Sequence, residues 1–172
     1  MRENLAFVLI RVGFPATVNR IVSIAGAESM RLGHNYIGSE HLLCALARLP
    51  NSPLGFHSTL HDTEIERIRN GVISVDSVGM SGRIVKIRPI TPRLKSILKI
   101  AASERSRLKH LTVSQSLLLG IVIEGGGVAP RVLKKLNYDL EAMKRVLEAP
   151  NQSPEPVLSS GTSPAGQEPR RP

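Results

Sequence analysis

Laid over itself with a shift of 76 residues, the chain matches its own sequence. Residues 17–34 then fall on 93–110, and Ile21/Ile97, Ile24/Ile100, Ala25/Ala101, Glu28/Glu104, Arg31/Arg107, Leu32/Leu108 and His34/His110 are identical. One deletion later, Ser39-Glu40-His41-Leu42-Leu43 falls on Ser114-Gln115-Ser116-Leu117-Leu118. A unit of about 75 residues is too long for a short solenoid repeat. The duplication therefore predicts two similar halves, each a small bundle.

Each half reads as helix, loop, helix, loop, short helix, helix. In the first, Ile21, Ile24, Ala25, Glu28 and Leu32 follow i, i+3, i+4 spacing. Gly33 supplies a C-terminal glycine stop. Ser39 is expected to cap the next helix, with Leu42, Leu43 and Leu46 on its buried face and Pro50 and Pro53 ending it. Leu54–Leu60 and Thr63–Asn70 read as two shorter helices. In the second half, Thr91-Pro92 is an N-cap followed by proline at the first helical position. Ile97, Leu98, Ala101 and Leu108 share a face, Ser114 is expected to cap Gln115–Glu124, and Gly125-Gly126-Gly127 breaks that helix. Val128–Leu136 and Asp139–Leu147 close the half, Asp139 acting as a cap. Aromatic residues are 3% of the chain and Trp is absent, so the core must be Leu, Ile, Val and Ala, which favours packed helices. The expected fold is all-α: two pseudo-symmetric four-helix repeats in one compact domain. Its parts are an N-terminal extension (1–14), a first repeat (15–70), a linker (71–90), a second repeat (91–149) and a tail (150–172). Leu5–Val12 and Arg83–Arg88 have β-like composition, and a short two-stranded pairing between them is the one strand feature the sequence allows. The Pro/Ser/Gly-rich tail has Val157 and Leu158 as its large apolar residues and is expected to be disordered.

The formal net charge is +9, and residues 83–110 carry most of it. Arg83, Lys86, Arg88, Arg93, Lys95, Lys99, Arg105, Arg107 and Lys109 face the single acid Glu104 there. Such a patch attracts an acidic protein face or a phosphate backbone, or is simply a solvated surface. It lacks aromatic side chains for stacking on single strands. No apolar run approaches the ~20 residues that span a bilayer, and no small-x-small cleavage site follows the N-terminus. With Cys44 as the single cysteine, a reduced, cytoplasmic setting is expected.

Three segments resemble a known family. Arg31-Leu-Gly-His-Asn-Tyr-Ile-Gly-Ser-Glu-His-Leu-Leu43 is similar to the hallmark of the Clp N-terminal repeat. Pro89-Ile-Thr-Pro-Arg93 resembles the entry to that family's second repeat, and Glu124-Gly-Gly-Gly-Val-Ala-Pro-Arg-Val-Leu133 a later motif of it. The resemblance covers about residues 15–148. It implies the domain that stands at the N-terminus of ClpC-type and ClpA-type AAA+ unfoldases. There the domain docks adaptors and substrates, including arginine-phosphorylated proteins in the ClpC branch. The sequence contains no Gly-Lys pair, hence no phosphate-cradling G-x-x-x-x-G-K-[ST] loop. It resembles a free-standing Clp N-domain and is expected to be a non-enzymatic module of the Clp protease system. Substrates, degradation tags or adaptors would be its ligands, and it would act as accessory factor or decoy. The alternative is a basic helical nucleic-acid-binding or regulatory protein.

The candidate ligand residues are Ser39, Glu40, Ser114 and Gln115. A carboxylate at a helix start whose free N–H groups favour anions suits a phosphoguanidinium group: the acid meets the guanidinium, the amides the phosphate. The resemblance gives the glutamate of each repeat that role. The second repeat departs from it, with Gln115-Ser116 where the first has Glu40-His41, so weaker binding or none is expected there. His34 and His110, matched by the duplication, are expected to be buried and hydrogen-bonded, tying a loop to a helix. His57 and His61 stand i, i+4, but no third ligand is evident, and no metal or cofactor is expected. Cys44 is expected in the core. No G-x-S-x-G elbow is present. Deleting residues 151–172 should move the thermal midpoint by no more than about 0.5 kcal/mol of stability allows, the scale of a change away from the core; calorimetry of the shortened chain measures it.

Overall fold

The computed structural model describes residues 8, 11, 13–15, 18–54, 61–76 and 88–150. Among them are seven helices: α1 (Asn19–Arg31), α2 (Ser39–Ala47), α3 (His61–Val75), α4 (Pro92–Arg107), α5 (Val113–Glu124), α6 (Val128–Lys135) and α7 (Leu140–Glu148). The fold is all-α. The duplication is visible in the packing: α1 lies on α2 as α4 lies on α5, and α3 on α2 as α7 on α5. Of the predicted helix at Leu54–Leu60 the structure describes Leu54 alone, and of the pairing of Leu5–Val12 with Arg83–Arg88 it describes Val8, Arg11 and Arg88; the rest of both, His57 and the tail from Asn151 lie outside the described residues.

Helix ends follow local chemistry. Gly33, at φ 69°, closes α1. Its N–H donates to the Met30 carbonyl at 3.0 Å and that of His34 to the Ser29 carbonyl at 2.9 Å, the paired bonds of a Schellman turn. Asn137, at φ 64°, ends α6 in the same way. Thr91 accepts from the Leu94 N–H at 3.2 Å to start α4, and Asp139 accepts from the N–H groups of Glu141 and Ala142 to start α7. Gly125, at φ 68°, ends α5, and α6 leaves at 91° to it.

Two expectations about caps are corrected. Gly38, not Ser39, is the N-cap of α2. Thr112, not Ser114, is the N-cap of α5, and Gln115 completes a capping box with it. The hydroxyl of a threonine preceding Ser114 reaches the N3 amide, so Ser114 falls inside the first turn. The helix predicted at Thr63–Asn70 is also longer, running on to Val75. Gly71 does not stop it. There the missing side chain admits α6, since a Cβ would stand 2.9 Å from Val132 Cγ1. Gly120 does the same between α5 and α4, where a Cβ would meet the Ile97 carbonyl oxygen at 2.7 Å.

The core runs through both repeats. Every residue of α2 is buried, as are Ser116–Val122 of α5. Helix α2 touches α4, α5 and α6 of the second repeat. A single parallel bridge, Ile37 N–H to the Pro89 carbonyl (2.9 Å) and Thr91 N–H to the Ile37 carbonyl (3.0 Å), stitches the loop before α2 to the entry of α4.

One buried charge cluster anchors the first repeat. Glu28 is 1% exposed. Arg69 of α3 donates to both its carboxylate oxygens at 2.8 Å, and Arg48 donates at 3.0 Å. Burial pushes the Glu28 carboxyl up, but Arg69 and Arg48 outweigh it and hold the group below its ordinary range. Removing Arg69 strands that charge, so Arg69→Ala should cost about 3–5 kcal/mol of folding stability. The depressed carboxyl stabilises the fold above the ordinary glutamate range, and this contribution is lost as pH falls through its folded value. Urea melts at neutral and acid pH check both: the gap between wild type and variant must narrow in acid.

Candidate functional site

The site is built on the buried start of α2. His41 occupies the third helical position, and its Nδ1 accepts the Gly38 N–H at 2.9 Å. Its Nε2 faces His34 Nδ1 at 2.9 Å. Because His41 Nδ1 is an acceptor, its Nε2 carries the proton and donates it to His34. His34 in turn stacks on Tyr36 at 5.0 Å. The Ser29 hydroxyl lies 2.6 Å from the Tyr36 carbonyl and 3.1 Å from that of His34, and Arg88 Nε donates to the His34 carbonyl at 3.2 Å. Burial pushes the His41 imidazole down to about 3, aided by His34, so the ring is neutral.

Glu40 lies 3% exposed beside this network. Gly38 makes room for it, since a Cβ there would fall on the Glu40 carboxylate. Ser39 donates toward Oε2 at 3.4 Å. Oε1 has no hydrogen-bond partner. It sits 3.2 Å from His41 Nδ1, but a neutral ring whose Nδ1 already accepts from Gly38 offers no proton, so this contact is not an ion pair. Burial pushes the Glu40 carboxyl up; its own backbone N–H opposes this, and the nearby Asp76 charge adds to it. Burial and the charges of Glu40 and Asp76 also push the Tyr36 phenol up to about 12.

The other side of the site comes from the second repeat. The Ala129 N–H, at the start of α6, donates to Ser39 Oγ at 3.4 Å. Arg93 lies across Gly126 and Gly127, where a Cβ would collide with its side chain, and donates to Glu124 Oε1 at 2.7 Å. His34, Glu40 and His41 offer three ligand atoms within 4.8 Å of one another. A cation there would have to break the His41 bonds that start α2.

No family model matches the chain. It is 30% identical over 159 residues to the chaperone protein ClpB of Oceanobacillus iheyensis, covering 91% of this chain and 18% of that protein. It is 30% identical over 152 residues to the negative regulator of genetic competence ClpC/MecB of Bacillus subtilis, covering 87% and 18%. It is 36% identical over 136 residues to the ClpA homolog of Cyanidium caldarium, described as an ATP-dependent Clp protease ATP-binding subunit, covering 73% and 15%. The fold resembles the N-terminal domain of ClpD from Arabidopsis thaliana, with TM-score 0.59 and 20% identity, over 78% of this chain and 91% of that one. This is a Clp N-domain-like protein. It spans less than a fifth of the curated relatives' length, and the matched region is the N-terminal domain, not the ATPase modules.

In this Clp N-domain-like protein, Ser39 and Glu40 adjoin, and Arg93, which the sequence placed in the basic patch, lies against Gly127 on the same side as Ser39. Ser114 and Gln115 do not join them. The Gln115 side-chain oxygen accepts the Thr112 N–H at 2.9 Å, so by role Gln115 matches His41 rather than Glu40. His34 is buried as expected. His110 is not: it is exposed and faces the Leu147 carbonyl of α7 at 3.2 Å. Lys109 stands where the first repeat has Gly33, so the chain cannot turn inward after α4, and no histidine like His41 waits there. Cys44 is buried, which pushes its thiol up to about 12, the state of a core residue.

The basic patch is not one free surface. Arg83 and Lys86 lie outside the described residues. Arg88 holds the His34 loop, Arg93 pairs with Glu124, and Arg107 pairs with Glu104 and Glu148. Lys99 and Lys109 are exposed, and Lys95 and Arg105 half-buried. No single helix among the described residues is long and apolar enough to cross a membrane.

Wherever Glu40 is ionised, Glu40→Gln should stabilise the fold by about 1–2 kcal/mol, because it removes a buried charge that carries a desolvation cost. The folded carboxyl is raised, so the penalty is full above its folded value and absent below the ordinary glutamate range. Thermal melts of both proteins from neutral to acid pH should therefore converge.

Proposed function

We propose that this Clp N-domain is a non-enzymatic protein-binding module of the Clp protease system. Its ligands would be substrates, degradation tags or adaptors, and among tags it would read phosphoarginine. The observation that carries the reading is Glu40 Oε1, a buried carboxylate oxygen with no hydrogen-bond partner at the start of a helix. A structural acid would be satisfied or solvated; an unsatisfied one suits an incoming donor. A guanidinium brings two parallel N–H groups to such a carboxylate. The start of α6, whose N-cap Gly127 brings no capping side chain and whose Ala129 N–H reaches Ser39, favours the attached phosphate. Ser114 and Gln115 would form at most a weaker second site, since Gln115 is occupied by its capping box.

Such a module, in the cytoplasm, would act by mass action, as an accessory factor that delivers tagged proteins or as a decoy that withholds them. The Clp unfoldase and its adaptors are the partners this implies. A nucleic-acid role draws no support from arginines already paired within the domain.

Calorimetric titration with an arginine-phosphorylated protein and its unmodified twin tests the reading. Binding to the phosphorylated form alone is expected, lost in Glu40→Ala while the helical circular dichroism is retained. Equal binding of the two forms, or none, sinks the tag reading. Because the carboxylate is the form that would bind, affinity should rise with pH through the folded range of Glu40, which burial pushes up.

A further inference from the structure

Helix α3 packs on α2 and on α6, and beside its contact with α6 it leaves an open groove of about 840 Å³. The α3 wall of the groove is a stripe of exposed residues four apart on one face: Asp62, Glu66, Asn70 and Ser74. Gly71 and Leu136 make its floor, and Lys135 of α6 stands on the opposite wall. The end of the stripe is smooth, because Ser74 turns its hydroxyl back onto the Gly71 carbonyl at 2.7 Å. Ile73, 44% exposed, lies on the same outward face, three residues from Asn70 and seven from Glu66. Such a face lets a second helix approach closely and cover the isoleucine.

Charge runs along the groove with a direction. Helix α6 is antiparallel to α3: Arg131 donates to the Val75 carbonyl at 2.8 Å, and further along α6 the Leu136 carbonyl accepts from Arg67 at 3.0 Å. Lys135, one turn after Arg131, is therefore level with the later half of α3, whereas Asp62 and Glu66 lie in its first half. Arg67 does not cancel these acids, since it is engaged by Glu64 and the Leu136 carbonyl. Glu66 meets Arg69 but keeps its side chain 59% exposed. Among the described residues, neither Asp62 nor Lys135 has an ion-pair partner. The groove is thus negative at the start of α3 and positive toward its end. Its complement is the same groove turned end for end.

We propose that this groove is a self-association surface, on which two copies of the chain pair α3 against α3, antiparallel, across a two-fold axis, with Lys135 of each copy reaching Glu66 of the other. A contact of this kind makes each charge pair twice and closes at two copies. Parallel helices would instead set acids against acids. The chain as a whole carries +9, which opposes bringing two copies together, so the contact draws on the acids of an otherwise basic protein. Whatever Glu40 binds, the pair presents that site twice, and a partner carrying two such groups is held by both.

Sedimentation equilibrium of the full chain over a wide range of concentration reads the mass, and circular dichroism checks the fold of each variant. Wild type should pass from monomer to dimer and no further. Lys135→Glu and Glu66→Lys, each alone, should weaken pairing by about tenfold or more, since like charges then face each other twice. Mixed in equal amounts, the two variants should pair with each other as wild type pairs with itself, because each contact of the mixed pair again joins one acid to one base. Asn70→Trp keeps every charge but fills the seam, and should also leave a monomer; it decides the matter if Glu66→Lys loses its fold through Arg69. A wild type that stays monomeric throughout overturns the proposal, as does growth beyond two copies. A dimer that survives both Asn70→Trp and Lys135→Glu places the contact elsewhere and overturns it too. Single variants that fall apart without pairing in the mixture overturn the antiparallel arrangement. Amide NMR of the monomer with and without residues 151–172 should agree at Asn70, Gly71 and Ser74; a difference confined to those signals assigns the groove to the chain's own tail and overturns the second copy as its occupant.

Discussion

Helix α2 has no residue facing water. A helix that short, buried on every side, takes its uncapped N–H groups and three polar side chains into a region without solvent, where each must find a partner. The neighbouring structure answers this demand. His41 accepts the Gly38 N–H, His34 accepts from His41, and Ser29 and Arg88 fix the carbonyls of the loop that carries His34. That loop can reach α2 because Gly33 turns the chain left-handed after α1, and it is pinned to the second repeat by the Ile37–Ile90 bridge. Among the side-chain atoms of this start the solution leaves one out, Glu40 Oε1. The candidate site is thus the remainder of a packing problem rather than a separate feature laid on the surface.

The two repeats start from one sequence pattern and solve the problem differently. In the first, Glu28 is buried and held by two arginines from other elements. In the second, the matching Glu104 pairs with Arg107 one turn away and stays partly exposed. The first repeat begins its central helix with glycine and histidine, the second with a threonine–glutamine capping box that any surface helix could use. Local, self-contained contacts have replaced long-range ones. The second copy behaves as scaffold, and the first keeps the costly arrangement.

Much of the fold was legible in the sequence because it rests on local signals. Proline after threonine, the glycine of a Schellman turn, the triple glycine and the capping aspartate all mark helix ends by backbone chemistry that needs no tertiary knowledge. The helix from Thr63 was ended too early, at Asn70, because a glycine inside a helix and one after it look alike in sequence; Gly71 stays helical because α6 packs against it. The caps at Gly38 and Thr112 were missed for a similar reason, since serine is a good cap wherever it stands and the true cap lies one residue earlier in the first repeat and two in the second. The site was half legible. Ser39 and Glu40 were visible in the repeat motif, whereas Arg93 was counted with eight other cations of its segment. Summed charge along a chain ignores where each side chain points, and three of the nine, Arg88, Arg93 and Arg107, are directed at particular carbonyls or carboxylates. The signal that could have separated Arg93 was Gly126-Gly127: glycines beyond the one needed to end α5 imply that something lies close against the backbone.

The same comparison decides what kind of feature the site is. An ionised carboxylate without a partner costs stability, and so do consecutive glycines, which lose the most freedom on folding. A fold selected for packing alone has cheaper choices within reach, and this chain contains one of them, the Thr112–Gln115 start of α5. The two starts cap the same kind of central helix in the same architecture, so the difference between them is not demanded by the fold. What the first start has that the second lacks is an acceptor without a donor. The cost of the first start is the unpartnered Glu40 carboxylate oxygen, and the second start shows that the architecture can be built without it.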